Sequence, residues 1–486
     1  MSLNLIEDKW IPVVCNDGSK RVIAPWQMAD PDILEPDWLR PDLNVACYEF
    51  LIGLVYLVDP PANRSEWDAR AAPDPERLRA SLSPFAPAFN LTGPGPLFLQ
   101  DLEPLAGEAN PVDMLFIDSA GANTARNNAD LMVHRARYGQ LDLPLAAMAL
   151  YTFQAFAPSG GAGNRTSMRG GGPLVTLADP GGGLWEFVWA NVPEGAPGRI
   201  EDLPWMNATR ISDNGQQTLP PSGSVFGAEA LFGMPRRLRL VEEGGAVTGV
   251  VQKPYGANYA MWKHPLSPHY RLKPGAEWLP KHPRAGRFGY RNWLGIVVEQ
   301  SASETTELAL ALREWSHRRG GGSALVAGWA MDNMKPRDFI LSRQMLIELP
   351  RELESRLVGL VEAAEIAATA LRGALGPVLA EGEAREAERE EFFRATESGF
   401  LDHVRSLQSG GDPEATWLSC LRVQALDQFD AVALPALDRR EIDQIERIVE
   451  ARKFLAMTFA GYGKQANALY EALGLSQPVA KKGKAA

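Results

Sequence analysis

Glycine and arginine dominate one short stretch of the chain, residues 157–173, which reads APSGGAGNRTSMRGGGP. Six of its seventeen residues are glycine, and its only charges belong to Arg165 and Arg169. Because glycine permits positive φ and close approach of a backbone, amides exposed beside two guanidinium groups would suit an anionic or groove-shaped partner. The stretch is neither a P-loop nor a dinucleotide fingerprint, since it lacks the Gly-Lys-Ser/Thr ending and the third glycine. A plain flexible loop is the alternative that composition leaves open.

A second candidate region is basic and lies within an acidic protein. The 486-residue chain has a net charge of −11, yet residues 231–291 hold 11 Lys and Arg against 3 Asp and Glu. Phosphate binding depends on the local field rather than on the total charge. Cations and aromatic rings interleave here, which favours phosphate contact with stacking, although a solvated surface with half-buried aromatics is the alternative. The interleaved residues are Lys253, Tyr255, Tyr259, Trp262, Lys263, His264, His269, Tyr270 and Arg271.

Residues that could perform catalysis do not form a recognisable set. The three cysteines, Cys15, Cys47 and Cys420, are too scattered for a disulfide framework or a zinc knuckle. None of the six histidines falls in a metal-binding spacing, and no Gly-x-Ser-x-Gly elbow occurs. We therefore expect a binding protein rather than an enzyme, with no metal and no cofactor.

The N-terminus gives no sign of export or of membrane insertion. It lacks a basic segment followed by an apolar core, so we expect no signal peptide. The longest apolar run, near Phe50–Val58, is short for a membrane span. We therefore expect a cytoplasmic protein without a membrane partner.

The candidate binding residues need elements to hold them. The sequence predicts a buried helix at Asn44–Val58, a polar loop at Asp118–Tyr138 and a proline-started apolar helix at Pro144–Phe156. That last helix would fix the glycine-rich stretch at its end. Further strands are predicted at Pro94–Asp101, Leu174–Leu177, Trp185–Val192, Arg237–Glu242 and Val247–Lys253. Residues 325–347 predict two hydrophobic runs joined at Asp332–Lys335, for which a tight structural turn is the simplest interpretation.

From residue 351 the pattern becomes helical. Apolar residues recur with helical spacing at Leu353–Leu379, Glu383–Leu407, Pro413–Ala433 and Arg439–Leu473. Short links favour an antiparallel four-helix bundle. The sequence thus predicts an α+β protein, with a mixed domain over residues 1–350, the bundle over 351–475 and a disordered tail over 476–486.

The order of these features resembles the CasA family, the large subunit of the type I-E CRISPR Cascade complex. The similarity rests on the N-terminal motif Leu5–Val13, the stretch Arg169–Pro173 after a buried helix and a polar loop, Gly328-Trp329, and the terminal bundle. It runs essentially from end to end. The resemblance implies a non-catalytic subunit that recognises the protospacer-adjacent motif (PAM) in double-stranded DNA, starts strand separation and positions a helicase–nuclease. The implied partners are the other Cascade subunits, crRNA, target DNA and that helicase–nuclease.

Site residues follow from the resemblance one position at a time. PAM and DNA contacts would come from Gly160, Gly161, Ala162, Gly163, Asn164, Arg165, Arg169 and Lys253. A wedge between base pairs would be Asp332, Asn333, Met334 and Lys335. A loop docking on crRNA and Cascade would be Asn123, Thr124, Ala125, Arg126, Asn127 and Asn128.

The chain departs from the family pattern at three places. The wedge glutamine of familiar members falls on Asn333, so either Asn333 or the apolar Met334 could enter the duplex. The PAM-contacting lysine falls in a run where Gln252 and Lys253 compete, and charge favours Lys253. The cysteine-rich knuckle of some members is replaced by Val-Glu-Glu-Gly-Gly-Ala-Val, so we expect no zinc.

Two other functions are kept as alternatives. The first is a nucleic-acid-associated scaffold without motif recognition, whose bundle binds a partner chain. The second is a metal-free hydrolase that uses His264 or His269 with a nearby acid. The first would show no dependence on a short DNA motif, and the second would turn over substrate by itself.

Overall fold

The computed structural model describes residues 2–119, 121, 126–128, 134–161, 163–300, 303–347, 349–435 and 437–478. The chain forms two compact units. The first unit comprises Met1–Gly286 and Glu304–Leu346, and the second comprises Arg287–Ser303 and Ile347–Ala486. The predicted α+β class with a helical C-terminal region is confirmed.

Strands of the first unit pair in small antiparallel sheets. Their orders are β2-β1-β3, β13-β12-β6, β10-β9-β11 and β4-β8-β5, with β7 also paired to β8. The strands are β1 (Ile11–Cys15), β2 (Lys20–Ile23), β3 (Ile33–Pro36), β4 (Asn110–Pro111), β5 (Leu141–Asp142), β6 (Val175–Asp179), β7 (Arg237–Glu243), β8 (Ala246–Lys253), β9 (His269–Tyr270), β10 (Leu279–Pro280), β11 (Thr306–Glu307), β12 (Ser323–Asp332) and β13 (Lys335–Met345).

Helices fill the space beside these sheets. They are α1 (Pro41–Val58), α2 (Arg64–Ala69), α3 (Pro75–Leu82), α4 (Leu143–Phe156), α5 (Leu184–Ala190), α6 (Ala228–Leu231) and α7 (Leu310–Arg318). Short 3-10 segments cover Pro25–Ala29, Ser83–Ala88, Val112–Leu115, Ile200–Asp202 and Pro204–Met206. Aromatic edges pack in the core around Phe50 of α1, which meets Phe98, Tyr151 and Phe232 at centroid distances of 5.4–6.2 Å. This core fixes α4, the helix that leads into the glycine-rich stretch.

Two predicted strands are wrong. Residues 185–190 belong to helix α5, and residues 94–101 form bends and turns. A short apolar run that is buried on every side has no period to distinguish a strand from a helix. Six of the seven residues of α5 are apolar or aromatic and buried to 5% exposure or less, so tertiary packing decides their conformation.

Helix α1 is longer and more apolar than the sequence analysis expected. By length and composition its 18 residues could cross a membrane. In the structure 83% of the helix is buried within the protein. The core helix of a folded domain is buried in the same way.

The second unit is a group of packed helices. They are α8 (Arg351–Ala374), α9 (Glu383–Gln408), α10 (Glu414–Ala433), α11 (Ile442–Phe459) and α12 (Lys464–Ala472), with 3-10 segments at Tyr290–Asn292 and Leu437–Arg439. The single helix predicted over 439–473 is two helices, because a turn with positive φ at Gly461 and Gly463 separates them. Tyr290 stacks on Phe400 at 4.1 Å, which explains why residues 287–303 join this unit rather than the first.

Candidate nucleic-acid interface

The glycine-rich segment, residues 157–173, leaves the end of α4 and divides into two parts. Gly160 and Gly161 are exposed, whereas Gly171 and Gly172 are buried. Two hydrogen bonds close the first part: the Asn164 N–H donates to the Gly161 carbonyl at 2.8 Å, and the Ser167 N–H to Ala157 at 2.9 Å. Ala162 lies outside the described residues. Hydrogen bonds between described residues therefore close the first part, and its backbone is exposed at Gly160 and Gly161.

The second part of the segment packs against another element, and we call the contact surface at Gly171 and Gly172 the seat. Gly172 has φ +63°, and a Cβ there would lie 2.3 Å from the Trp329 carbonyl oxygen. A Cβ at Gly171 would lie 3.3 Å from the sulfur of Met334. Glycine is required at position 172 because strand β12 passes too close for any side chain.

The element on that seat is the hairpin β12–β13, whose tip is the predicted wedge. Asp332 pairs with Lys335, so Asn333 and Met334 form a two-residue turn, as the sequence analysis predicted. Both have positive φ, +48° and +63°, the signature of a type I′ turn. All four tip residues are exposed, with 45% of Met334 accessible. Asparagine tolerates this conformation, whereas methionine is strained in it.

The competing residues Gln252 and Lys253 have different surroundings. The Gln252 amide donates from Nε2 to Oδ1 of Asn164 at 2.8 Å, so its side chain braces the exposed turn. Lys253, half-buried at the end of β8, has no carboxylate within 4.0 Å among the residues that the structure describes. Its ammonium therefore remains available for a ligand, and Lys253 stays the predicted contact.

Tyr255, which follows strand β8, connects this strand with the exposed turn of the glycine-rich segment. Its N–H donates to the Gly163 carbonyl at 2.8 Å, and its ring would lie 2.5 Å from a Cβ at Gly163. It is 40% exposed with φ +60°, a second strained non-glycine residue at this surface. The Arg165 guanidinium lies 6.0 Å from the ring centroid and donates to the Ser212 carbonyl at 2.8 Å. Arg165 is thus half-buried and holds the turn in place.

The structure corrects the assignment of Arg169 as a DNA contact. Arg169 is 3% exposed and donates from Nη2 to Glu49 of α1 at 2.7 Å, with further bonds to the Ser267 hydroxyl at 3.3 Å and the Ala155 carbonyl at 3.4 Å. Glu49 itself is fully buried. Arg169 is therefore an internal ion-pair partner that ties the second part of the glycine-rich segment to the core.

The basic stretch is also less exposed than its composition indicated. Lys263 pairs with Glu307, while Trp262 is 6% exposed. His264 and His269 are 3% and 2% exposed, and burial lowers the pKa of His269 to about 4, so it is neutral near pH 7. Of the residues predicted to stack or bind phosphate over 253–271, Tyr255 is exposed, whereas Lys253, Tyr259, Lys263, Tyr270 and Arg271 are half-buried. Both histidines are buried, so neither is presented at the protein surface.

The predicted docking loop falls partly outside the described residues. Asn123, Thr124 and Ala125 belong to that outside part. Arg126, Asn127 and Asn128 are exposed, and Arg135 donates to Oδ1 of Asn128 at 2.9 Å. Its role in docking stays a prediction.

Metal ligands do not converge anywhere in the described ranges. No group of three His, Cys, Asp or Glu side chains there could hold a metal ion.

One residue beside the turn escaped the sequence analysis. Arg236 is 4% exposed, and its guanidinium donates to the carbonyls of Pro158 and Arg165. Nothing in the sequence distinguishes it from Arg237 next to it, which instead pairs with Asp101 at 2.7 Å. Only the folded arrangement reveals the difference.

Fold and site together define a mixed α+β protein with an exposed glycine turn, an exposed hairpin tip and, among the described residues, a lysine without a carboxylate partner. The family model for CRISPR-associated protein Cse1 matches residues 4–428, and the chain belongs to this family.

Solved structures share the fold at low sequence identity. CasA from Thermus thermophilus is 18% identical with a TM-score of 0.71, covering 94% of this chain and 100% of its own. Cse1 from Thermobifida fusca is 17% identical with a TM-score of 0.69, covering 97% and 98%. A chain of a CRISPR RNA-guided surveillance complex is 16% identical with a TM-score of 0.67, covering 93% and 99%. No curated protein matches the sequence.

Proposed function

We propose that this protein is the non-catalytic large subunit of a crRNA-guided CRISPR interference complex. In this role it recognises a PAM in double-stranded DNA, starts strand separation and positions a helicase–nuclease. Family membership and the similarity to a chain of an RNA-guided surveillance complex support the assembly. The observation that carries the DNA-opening role is the Asn333-Met334 turn, which projects beside an exposed glycine turn while holding methionine at positive φ.

The exposed glycine turn would meet the minor groove. Groove acceptors on A·T and G·C pairs can take hydrogen bonds from backbone amides, provided that no side chain holds the backbone away. Gly160 and Gly161 are exposed, and the space that a Cβ would occupy at Gly161 is open. The turn is also braced by Gln252 and Arg165, so it would bind without a large ordering cost.

The hairpin tip would act as the wedge. Apolar side chains inserted between base steps unstack them at a cost of a few kcal/mol per step. Met334 is the better of the two tip residues for insertion, because its exposed side chain is longer and apolar, whereas the Asn333 amide bonds to Asp332 at 2.9 Å. Guide pairing would then extend the opening, since strand exchange is nearly balanced in energy.

Lys253 would supply charge at the duplex. Its ammonium has no carboxylate partner in the described part of the chain, and it lies at the end of the strand that carries Gln252. A contact with a phosphate or a base acceptor would be salt-dependent. The exposed residues Arg126, Asn127 and Asn128 would belong to the loop that docks on crRNA and the other subunits. We assign no cofactor, and we expect a cytoplasmic complex.

Duplex binding by the reconstituted complex tests the function. Binding would be measured with and without this subunit, across a randomised motif beside the guide-matched site. We expect a sharp motif preference that requires the subunit. Lys253→Gln should weaken binding to every preferred duplex, while Lys273→Gln, an exposed lysine of the same basic stretch, serves as the matched control. Equal binding without the subunit, or no preference, would favour the scaffold alternative.

A further inference from the structure

Arg236 lies directly beneath the exposed turn of the glycine-rich segment. Its Nε donates to the Arg165 carbonyl at 2.5 Å, and its Nη2 donates to the Pro158 carbonyl. These carbonyls stand on either side of the turn, so one guanidinium fixes both of its ends. The Arg236 backbone is held in turn by the Gln154 amide, with bonds of 3.0 Å in both directions.

The guanidinium of Arg236 lies 5.2 Å from the centroid of the Phe153 ring and has no carboxylate partner among the described residues. Three arginines among the described residues are buried to 5% exposure or less. Arg169 pairs with Glu49 at 2.7 Å, and Arg318 pairs with Glu314 at 2.9 Å, but no described carboxylate lies within 4.0 Å of Arg236. Burial lowers the pKa of Arg236 to about 10, so it stays protonated near pH 7. A buried, unpaired cation is costly to keep, and such groups concentrate at functional sites.

One nitrogen of Arg236, Nη1, lies beside the exposed Gly160. Nη1 has no hydrogen-bond acceptor among the described residues, and it is not fully enclosed. A Cβ at the exposed Gly160 would lie 3.2 Å from Nη1 and 2.9 Å from the Asn164 Cβ. The missing side chain at position 160 therefore leaves this donor open, whereas alanine would cover it.

We propose that Arg236 is a phosphate-binding residue for the target duplex, with Nη1 reaching one backbone phosphate past Gly160. A guanidinium gives charge-assisted hydrogen bonds to phosphate oxygens, and the buried surroundings strengthen them. The inference rests on the proposed function, and it adds a charged contact beneath a turn that would otherwise offer only amides. It also gives Gly160 a specific role, namely access to Nη1.

The salt dependence of duplex binding tests this contact. Each neutralised phosphate contributes about 0.9 to the slope of log K against log salt concentration on duplex DNA. In the reconstituted complex, Arg236→Gln should reduce the slope by about that amount, and Arg236→Lys should keep it. Arg318→Gln removes a buried arginine that has its own carboxylate, so it controls for destabilisation and should leave the slope unchanged. An unchanged slope in Arg236→Gln, with weaker binding or without it, overturns the proposal.

Gly160→Ala keeps the test decisive if Arg236→Gln does not fold. Gly160 does not have positive φ, so alanine adds a methyl group over Nη1, and the Asn164 side chain, whose Cβ would lie 2.9 Å from the added carbon, must shift to accommodate it. We expect the same loss of slope, and an unchanged slope would contradict the phosphate contact. Retention of crRNA in the complex should be the same in all variants. Loss of crRNA instead would assign the phosphate to the guide and overturn the proposal.

Different results would contradict the proposed function and the phosphate contact. If the wild-type complex shows no motif preference, the proposed function fails. If the preference is present but the slope ignores Arg236 and Gly160, only the phosphate contact fails.

Discussion

Two hairpins of the first unit end in two-residue turns, yet they use opposite kinds of residue. The β7–β8 hairpin turns at Gly244 and Gly245, with φ of +63° and +85° and open space around both. The β12–β13 hairpin turns at Asn333 and Met334, with φ of +48° and +63°. Glycine adopts these angles without strain, whereas methionine does so at a cost on the order of 1–3 kcal/mol.

The residues of the first turn match its backbone conformation, whereas those of the second do not. The asparagine–methionine pair carries a strained side chain that is 45% exposed and lies beside the buried Gly171. Strain retained at an exposed tip is consistent with the wedge role proposed for this side chain. The two hairpins also differ in what they pack against, since the second hairpin packs on the glycine seat, which the buried Arg169–Glu49 ion pair holds in place.

Breaking that ion pair should have the largest effect. Arg169→Met leaves Glu49 buried without its partner, so the carboxyl must either stay charged in the core or take up a proton, and losing such a partner typically costs about 3–5 kcal/mol of unfolding free energy. The double variant Glu49→Leu with Arg169→Met should recover most of the loss, because no buried charge remains. Urea unfolding of wild type, the two single variants and the double variant measures the coupling free energy between Glu49 and Arg169. Additive losses would show that the pair does not anchor the segment.

Substitution of Gly172 in the seat should have the second-largest effect on stability. Gly172→Ala places a Cβ 2.3 Å from the Trp329 carbonyl at φ +63°, so overpacking and backbone strain combine to about 3 kcal/mol. Gly161→Ala is the matched control, since φ is +65° but nothing lies within 4 Å of the added carbon. It should lose only about 1 kcal/mol. Thermal unfolding compares the stabilities of the two variants. Equal losses of stability would show that strand β12 does not require glycine at position 172.

Moving the strained turn to the other hairpin should have a smaller effect. Gly244→Asn with Gly245→Met imposes the same residue types on a turn in open space, so only backbone strain is added. We expect a loss of about 1–2 kcal/mol in unfolding free energy, with no change in duplex binding. A neutral result would mean that methionine is not strained at positive φ here, and the argument from strain would fail.

Relieving the strain at the wedge should have the smallest effect on stability. Asn333→Gly with Met334→Gly keeps the turn but removes both side chains, and the strain released is offset by lost contact of Met334 near Gly171. The unfolding free energy should stay within about 1 kcal/mol of wild type. A larger loss, measured by urea unfolding, would make Met334 a packing residue.

Much of the fold followed from local sequence patterns. Apolar helix α4, the tight turn at Asp332–Lys335 and the long C-terminal helices each depend on periodicity or turn chemistry within one segment. The strand predicted at Trp185–Val192 was wrong because burial on all sides erases that periodicity. Tyr290 could not be placed with the helices from its own surroundings, since its partners lie about a hundred residues further along.

The candidate site was only partly predictable for the same reason. Glycine content marked the segment, but the sequence could not separate exposed Gly160 from buried Gly172. Arg169 was misassigned because its partner, Glu49, is 120 residues away in the chain. Arg236 escaped notice because the lack of a carboxylate partner among the described residues is a property of the folded structure alone.

Unstacking of the first base pairs beside the motif is the direct sign that this hairpin opens the duplex. A fluorescent base analogue next to the motif would report unstacking when the reconstituted complex binds a duplex whose guide match begins further away. We predict unstacking with wild-type protein and little with Asn333→Gly and Met334→Gly combined, while binding to a pre-melted target stays equal. Equal unstacking by both proteins would contradict a wedge at this hairpin.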